Sequence, residues 1–343
     1  MIRVLHSVSN MDRGGIETML MNYYRHIDRE KVQFDFIVNK QKPGDYDDEI
    51  RRLGGHIYQS PGLNPLHYPA YLRFVQQTVA ADPRIRILHA HNEAMGLYAL
   101  KGAEKAGLQV RIAHAHNIWI VRDYKWPLKM FCKQLLPGAA THLWACGRDA
   151  GIYYFGKADW ERRGQIIPNA IEPETFRFSP AVRAEMRARY GLEDRVVLGH
   201  VGRFDVRKNH ERLLEIFAAF LQLEPRAMLV LIGTGRLEQA VRAQAQELGI
   251  TDHILFAGLQ NNVADWYQMM DLFVMPSRFE GLPVVGIERK PPGWGAYFRT
   301  QCRRRCCFLP MPSRSRFPPA MQTGQQACSG CSTSPATALP VQN

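Results

Sequence analysis

Two carboxylates eight positions apart, Glu280 and Glu288, lie in the stretch of the chain whose residue types are best suited to chemistry. An apolar run over residues 272–275 predicts a buried strand, and the Gly-Leu-Pro of residues 281–283 predicts the first turn of a helix. Amides at a helix start can bind a phosphate, and carboxylates accept hydrogen bonds from sugar hydroxyls. Two acids at this spacing are more often ordinary surface residues, so spacing alone leaves the assignment open.

A pair of cations, Arg203 and Lys208, follows another predicted strand, which begins at Val196. Two fixed cations at a strand-to-helix corner suit a diphosphate, because arginine offers a fork of donors and lysine a point charge. On spacing alone, two surface cations are the simpler interpretation. The next predicted strand ends in Gly233-x-Gly235, which is a weak signal by itself.

A pair of glycines, Gly14-Gly15, lies between a first predicted strand over residues 2–8 and a helix that begins at Ile16. Glycine lets backbone amides approach a phosphate or a sugar closely, although a tight turn would need the same residues. The loop is long and the chain lacks the G-x-G-x-x-G pattern, so this is not a dinucleotide fingerprint.

Two predicted strands end in the same pattern, His89-Ala-His91 and His114-Ala-His116. Histidines at strand ends could bind zinc. No carboxylate or thiolate lies in the obvious neighbourhood, and buried or supporting histidines are the more common outcome. We therefore expect no metal here.

The elements that must position these residues alternate between short apolar runs and segments of helical periodicity, which predicts an α/β protein. Polar residues at the strand ends indicate one edge of a parallel sheet, where open α/β folds place their ligands. A second βα series begins at Val196, so the 343 residues predict two domains, residues 1–170 and residues 171–288.

Composition narrows the class of protein. The hydrophobic fraction of 46% and the charged fraction of 22% are ordinary for a globular protein. We find neither a signal peptide nor an apolar stretch of the roughly 20 residues that span a bilayer, and the main body has two cysteines, so we expect a cytoplasmic protein. Eight of the twelve excess positive charges lie in residues 289–343, so the charge does not indicate nucleic-acid binding.

Residues 123–137 mix lysine with aromatic and aliphatic residues. Such a stretch could lie on a membrane interface, and an ordinary helix packed on its domain is an equally good interpretation.

The pattern stops after Glu288. Residues 289–343 contain eight prolines, three Val/Leu/Ile and no acid, too little apolar surface to offset the ordering entropy. We expect a disordered or frame-shifted tail. Its five cysteines could be taken for a metal site, but no supporting pattern surrounds them, so we do not assign one.

Four segments resemble motifs of the family 4 retaining glycosyltransferases and follow one another along the chain in the family's order, over about residues 1–288. Pro-Ser-x-x-Glu-Gly-Leu-Pro-x-x-x-x-Glu, from Pro276, resembles the family's E-x7-E signature. Gly-Arg-Phe-Asp-Val-Arg-Lys-Asn-His, residues 202–210, resembles its diphosphate clamp. The Gly-Gly loop is similar too, and Pro-Asn-Ala-Ile-Glu of residues 168–172 resembles its interdomain segment, with Ala170 and Glu172 as departures.

The resemblance implies an α/β protein of GT-B fold, with two Rossmann-like domains that face each other across a cleft and a C-terminal domain that is incomplete. Residues 1–170 would form the acceptor-side domain and residues 171–288 the nucleotide-sugar domain. The implied catalytic residues are His116, Glu280, Arg203 and Lys208. The implied donor-binding residues are Gly14, Gly15, Arg203, Lys208, Gly233, Gly235, Glu280, Gly281, Leu282 and Glu288.

The implied activity is transfer of a sugar, with retention, from a nucleoside diphosphate sugar to a saccharide or polyprenyl-linked acceptor, as in exopolysaccharide, capsule or cell-envelope biosynthesis. Such an enzyme would lie in the cytoplasm, in peripheral contact with the inner face of the membrane. No metal or other cofactor is expected, because the two cations and the helix start offset the diphosphate. A GT-B sugar-nucleotide epimerase and a catalytically inactive nucleotide-binding remnant are the alternatives, and a dehydrogenase is the weakest.

Overall fold

A computed structural model describes residues 1–118, 120, 123–169 and 172–278 of the chain. These residues form two compact units, Met1–Thr175 (unit 1) and Phe176–Pro276 (unit 2). The sequence places the corresponding boundary after residue 170. The predicted tail, residues 289–343, lies outside the described residues.

Unit 1 contains a sheet of seven parallel strands in the order β3-β2-β1-β4-β5-β6-β7. Their bounds are β1 Ile2–Val8, β2 Val32–Val38, β3 Ile57–Gln59, β4 Ile85–Ala90, β5 Val110–Ala115, β6 His142–Ala145 and β7 Gly164–Ile166. The helices that connect them are α1 Gly15–His26, α2 Asp47–Arg52, α3 Tyr68–Ala81, α4 Leu97–Lys105, α5 Trp126–Ala139, α6 Arg148–Phe155 and α7 Lys157–Arg163.

The sheet of unit 1 is buried on both faces, so even polar residues of its central strands are buried, such as Arg3 on β1 and Asp35 on β2, which form an ion pair. On β1, Val4 and Val8 belong to the core under α1, together with Leu20 and Phe36. Leu5 points to the opposite face and joins the larger core that α3, α4 and α5 cover. Successive residues of one strand therefore stabilise two separate layers.

Unit 2 contains four parallel strands in the order β10-β9-β8-β11. The strands are β8 Val196–Val201, β9 Ala227–Ile232, β10 Ile254–Gly258 and β11 Leu272–Phe273, and the helices are α8 Pro180–Arg189, α9 His210–Leu221, α10 Glu238–Glu247 and α11 Val263–Met269. Leu198 and Val197, adjacent on β8, belong to different cores, so this sheet is also buried on both faces. In the described part of the chain, no helix is long and apolar enough to cross a membrane.

The strand order positions the candidate sites. In unit 1 the order reverses between β1 and β4, and in unit 2 it reverses at β8. Connections leave such a switch point on opposite faces of the sheet, which opens a crevice at the carboxyl ends of the strands. The loops that follow β1, β4, β5 and β8 are therefore the ones to search for function.

Sequence patterning predicts most of these elements to within a few residues, but it misses α7 and β7. Strand β7 has only three residues, and α7 packs through one side chain, Trp160. A Cβ at Gly151 or Gly164 would lie 2.3 or 2.2 Å from the Trp160 ring, so these glycines make room for the indole. Both glycines are therefore packing positions.

Candidate functional site

The loop between β1 and α1 carries the predicted glycine pair. Met11 is fully buried and anchors the loop, while Gly14 is the N-cap of α1 and Gly15 its first residue. The backbone of Gly14 is extended, with φ −117°, so its conformation does not require glycine. A Cβ there would lie 2.3 Å from the Glu17 carboxylate oxygen, which folds back over the helix start. Both glycines thus lie at the amide end of a 12-residue helix, as the sequence predicts.

Five histidines meet at the carboxyl ends of three neighbouring strands of unit 1. His6, on β1, lies opposite His89, on β4, in the strand register. His91 and His116 follow the last residues of β4 and β5, and His114 lies on β5. All five side chains are buried. The sequence indicates four of them; His6 is missed because nothing within β1 reveals which residue its neighbour places beside it.

Ring nitrogens join these histidines in two hydrogen-bonded sets. His6 Nδ1 lies 3.1 Å from His91 Nε2, and His91 Nδ1 lies 2.9 Å from His116 Nε2. Separately, His89 Nε2 lies 3.1 Å from His114 Nδ1. Each contact joins two imidazoles, so one ring supplies the N–H and the accepting ring must be neutral to offer a lone pair.

The electrostatics agree with neutral rings. Burial lowers the pKa of His6 and of His116 to about 3. Burial, followed by repulsion from neighbouring histidines, lowers the pKa of His89, His91 and His114 well below the usual value. Among the described residues, His6 Nε2 and His114 Nε2 are buried without a hydrogen-bond partner. The five imidazoles are therefore neutral at physiological pH, and each can donate one hydrogen bond and accept one.

A strained residue, Glu93, follows the His-Ala-His-Asn end of β4. Its φ of 53° lies in the left-handed region that non-glycine residues rarely adopt, and such strain collects at functional sites. Its carboxylate accepts hydrogen bonds from the Tyr154 hydroxyl at 2.8 Å and from the Asn117 amide. Burial beside this carboxylate raises the pKa of Tyr154. Sequence reasoning missed this group, whose members come from three separate segments.

The loop between β8 and α9 carries the predicted cation pair of unit 2. Arg203 is exposed, and the stem of Lys208 lies over Gly202, where a Cβ would be 3.0 Å from its Cδ. The structure thus brings Lys208 back to the residue beside Arg203. Asn209, with φ 56°, is the N-cap of α9 and donates to the Pro276 carbonyl at 3.1 Å. A short loop therefore presents two cations next to a helix N-terminus.

A third cation of this loop, Arg207, pairs with a carboxylate of the same loop, that of Asp205. Its guanidinium lies 2.7 Å from the Asp205 carboxylate. Burial raises the pKa of Asp205, but the hydrogen bonds and charge of Arg207 outweigh it and hold the pKa below its usual range. Asp205 also accepts from the backbone amide of Lys208 at 3.3 Å, which fixes the loop's shape.

The glycines of Gly233-x-Gly235 let the loop after β9 pack against the loop after β8. Gly233 has φ +126°, and a Cβ there would lie 2.3 Å from the Gly202 carbonyl oxygen. A Cβ at Gly235 would lie 2.5 Å from the Phe204 carbonyl oxygen. Both glycines therefore support the backbone that carries Arg203.

Unit 2 has two buried histidines next to the β8–α9 loop, His200 on β8 and His210 at the start of α9. His200 Nδ1 contacts the Val274 carbonyl at 2.8 Å, and the His210 ring stacks on Phe204 with centroids 4.2 Å apart. Burial is the main cause that lowers the pKa of His210 to about 4. The remaining predicted donor-binding residues, Glu280, Gly281, Leu282 and Glu288, lie outside the described residues.

Two family models match the chain. Residues 13–175 match the model "Glycosyltransferase Family 4", and residues 182–290 match "Glycosyl transferases group 1". The two matches correspond closely to the two structural units.

Two relatives span most of the chain. A Bacillus subtilis (strain 168) protein named as a glycosyltransferase, EpsF, is 36% identical over 296 residues, which are 85% of this chain and 77% of EpsF. The GDP-mannose-dependent alpha-(1-6)-phosphatidylinositol monomannoside mannosyltransferase of Mycolicibacterium smegmatis is 25% identical over 308 residues, 82% of this chain and 75% of that protein.

Solved structures confirm the fold class. Anabaena Alr3699/HepE in complex with UDP and glucose matches with a TM-score of 0.67 at 16% identity, over 84% of this chain and 78% of that one. WaaG, a glycosyltransferase involved in lipopolysaccharide biosynthesis, matches with a TM-score of 0.59 at 16% identity, over 80% and 75% of the two chains. The predicted α/β fold of GT-B type is confirmed.

Proposed function

The chain belongs to the group 1, family 4 glycosyltransferases, and we propose that it moves a sugar, with retention of configuration, from a nucleoside diphosphate sugar to a saccharide or polyprenyl-linked acceptor. Relatives that are named for polysaccharide synthesis support this choice of acceptor, such as the Vi polysaccharide biosynthesis protein VipC/TviE of Salmonella typhi, 32% identical over 143 residues, which are 40% of this chain and 25% of that protein. Exopolysaccharide, capsule or cell-envelope synthesis is the proposed setting.

The observation that carries the proposal is the β8–α9 loop, which holds Arg203 and Lys208 beside the N-terminus of α9. The leaving diphosphate gains negative charge as the bond to the sugar breaks, so fixed cations and helix amides stabilise the transition state more than the ground state. HepE, which shares this fold, has been solved with UDP and glucose, and this supports a nucleotide-sugar donor.

The other predicted residues have supporting roles in the proposal. Glu288 would bind the ribose hydroxyls, Glu280 the sugar near its reacting carbon, and the amides near Gly281 and Leu282 a phosphate. His116, buried at the end of β5 and hydrogen-bonded to His91, would contact the transferred sugar. No metal is assigned to the diphosphate, because the cations offset its charge.

Membrane contact through α5 is a second part of the proposal. Tyr124, just before α5, and Phe131 and Leu135, four positions apart on α5, are exposed by 87, 59 and 45%. Lys129 is paired with Asp123 at 2.7 Å, and Lys133 lies 4.0 Å over the Tyr153 ring, so apolar contact should outweigh charge. We expect Phe131→Ser to weaken co-sedimentation with anionic vesicles, and unchanged sedimentation would contradict it.

The test of the donor site is the unfolding midpoint in the presence of nucleoside diphosphates and their sugars. We expect a nucleotide to raise the midpoint of the native chain and Lys208→Ala to remove most of this rise. Arg226→Ala is the matched control, since Arg226 is an exposed cation at the amino end of β9, the opposite edge of the sheet. Loss of the rise in Arg226→Ala, or no rise with any nucleotide, would contradict the proposal.

Product analysis then separates the alternatives. Transfer to an acceptor with the donor's anomeric configuration, read by NMR, supports the retaining transferase. Release of epimerised donor in the absence of acceptor would instead indicate an epimerase, and nucleotide binding without turnover an inactive remnant.

A further inference from the structure

A carboxylate ties together two loops of unit 1, the loop after β4 and the loop after β5. Glu93 belongs to the first loop, and Asn117 belongs to the second, directly after His116. The Glu93 carboxylate accepts hydrogen bonds from the Asn117 side-chain amide and, at 2.8 Å, from the hydroxyl of the buried Tyr154. Both loops follow the carboxyl ends of their strands, which is the edge of the sheet where a ligand is expected.

The carboxylate decides which way the Asn117 amide points. An ionised carboxylate can only accept hydrogen bonds, so the Asn117 atom that faces it must be the Nδ2 donor and not the Oδ1 acceptor. Nδ2 donates to Oε1 of Glu93 and the Tyr154 hydroxyl donates to Oε2, and two donors stabilise the ionised form. Burial, followed by the charge of Glu93, raises the pKa of Tyr154, so this hydroxyl stays a neutral donor.

The Oδ1 oxygen of Asn117 is consequently turned away from Glu93. It makes no hydrogen bond to the residues that the structure describes, and it is not sealed from solvent, since Asn117 is only partly buried. A carbonyl oxygen that is held in a fixed direction and has room for a partner can accept a hydrogen bond from an O–H group.

We propose that Asn117 Oδ1 accepts a hydrogen bond from a sugar hydroxyl, and that Glu93 is the positioning residue that holds the amide in this orientation. The inference rests on the proposed function, which brings a sugar to the neighbouring His116. The hydroxyl belongs either to the transferred sugar or to the saccharide acceptor, two sources with the same chemistry. A sugar that lacks this hydroxyl would leave the oxygen unpaired, so Asn117 contributes to specificity.

The backbone of Glu93 supports a functional role for this residue. Its φ of 53° is unfavourable for glutamate and persists only where the surroundings hold it. In the described part of the chain, Asn209 is the other non-glycine residue with positive φ, and it caps α9 in the loop proposed to bind the diphosphate. Both strained residues therefore lie in loops that follow the carboxyl end of a strand.

The key variant is Glu93→Gln, which keeps the length of the side chain and changes its hydrogen bonding. The Tyr154 hydroxyl still needs an acceptor, so the glutamine oxygen should face Tyr154 and its Nε2 should face Asn117. Two N–H groups cannot bond to each other. The Asn117 amide should therefore turn over, accept through Oδ1, and present Nδ2 in place of the oxygen.

NMR of the full chain with 15N-labelled asparagine follows this change. In the native chain the carboxylate should shift one Asn117 amide proton downfield, because a hydrogen bond to an ionised acceptor is short and strong. Glu93→Gln should lose this shift, and Asn117→Ala assigns the signal by removing it. Circular dichroism checks that both variants are folded.

Kinetics with the nucleotide sugar that raises the unfolding midpoint then test the sugar contact. Asn117→Ala and Glu93→Gln should each lower kcat/KM about 3–10-fold, the value of one hydrogen bond. The double variant should lose no more than Asn117→Ala alone, because Glu93 acts through Asn117. A raised KM for the donor would identify the transferred sugar as the source of the hydroxyl, and a raised KM for the acceptor would identify the acceptor.

The matched control is Tyr154→Phe, which removes the other hydrogen bond of the same carboxylate. Asn117 keeps its orientation in this variant, so kcat/KM should change less than about 2-fold. Urea unfolding should show a similar loss of stability in Tyr154→Phe and in Glu93→Gln. A carboxylate with a purely structural role would instead give equal losses of activity in these two variants.

Four results would overturn the inference. They are an Asn117 amide signal that is the same in the native chain and in Glu93→Gln, unchanged kcat/KM in Asn117→Ala, additive losses in the double variant, and equal losses of activity in Tyr154→Phe and Glu93→Gln. The NMR measurement needs no transfer, so it separates the orientation of Asn117 from the proposed function. A native chain that shows the shifted amide proton and transfers no sugar would contradict the proposed function, and the sugar contact with it.

Discussion

The strand ends of unit 1 present neutral imidazoles, whereas those of unit 2 present cations. Both units are parallel sheets with helices on both faces, and in both the strand order reverses at the candidate site. His91 and His116 follow β4 and β5 in one, and Arg203 and Lys208 follow β8 in the other. The same topology therefore provides two crevices, and from the side chains at the strand ends we expect unit 2 to suit an anion and unit 1 a neutral hydroxyl.

The strongest way to break this comparison is to remove a cation from unit 2. We expect Lys208→Ala to lower kcat/KM by about 10²–10³, because a charge-stabilising donor is worth about 2.7–4 kcal/mol of transition-state energy. Lys125→Ala, in unit 1, is the counterpart and should leave the transfer rate nearly unchanged. Steady-state kinetics on both variants measure kcat/KM. Equal decreases in kcat/KM would show that the catalytic cation is not specific to unit 2.

The glycines of the two loops offer a second comparison, in stability. Gly233→Ala should lower the free energy of unfolding by about 2–4 kcal/mol, because the residue has φ +126° and its Cβ would meet the Gly202 carbonyl at 2.3 Å. Gly14→Ala should change it by about 1 kcal/mol or less, since φ is −117° and the neighbour is the flexible end of Glu17. Urea denaturation measures both, and a larger cost at Gly14 would refute the assigned roles.

The smallest expected effect is the loss of folding stability at acidic pH that the burial of His210 causes. Its folded pKa of about 4 lies below the unfolded value of about 6.5, so the unfolded state binds more protons between these values. Stability is therefore full above about pH 6.5 and falls as the pH drops toward 4. Asp205 raises this pKa and Lys208 lowers it, both less than burial does.

His210→Phe tests this sign. Between pH 7 and pH 5 the native chain should lose about 2 kcal/mol more stability than the variant. Phenylalanine keeps the stacking on Phe204, and His67→Phe, at an exposed loop position, is the control. Urea unfolding at each pH gives the slopes, and parallel slopes for native chain and His210→Phe would contradict the assignment.

The sequence predicts the fold well where a signal is contained within one element. The apolar runs of β1, β8 and β9 and the amphipathic α1 and α9 lie where periodicity places them. It fails for β7, whose three residues carry too little pattern, and for the short α7, whose one buried side chain is Trp160.

The candidate site shows a similar limit. Arg203 and Lys208 could be predicted because a single loop contains both. The place of His6 beside the two His-x-His strand ends and the Glu93–Asn117–Tyr154 group could not, because strand register and helix packing join residues that are far apart in the sequence. The roles of Glu280 and Glu288 stay predictions.

The central place of β1 in its sheet also has a consequence for synthesis. Ile2–Val8 leaves the ribosome well before one of its two neighbours, β4, which begins at Ile85. At about 5–20 residues per second, β4 follows roughly 4–16 seconds later. During that time one edge of an apolar strand has no partner, and unpaired edges promote aggregation. The nascent chain should therefore depend on chaperones until β4 has emerged.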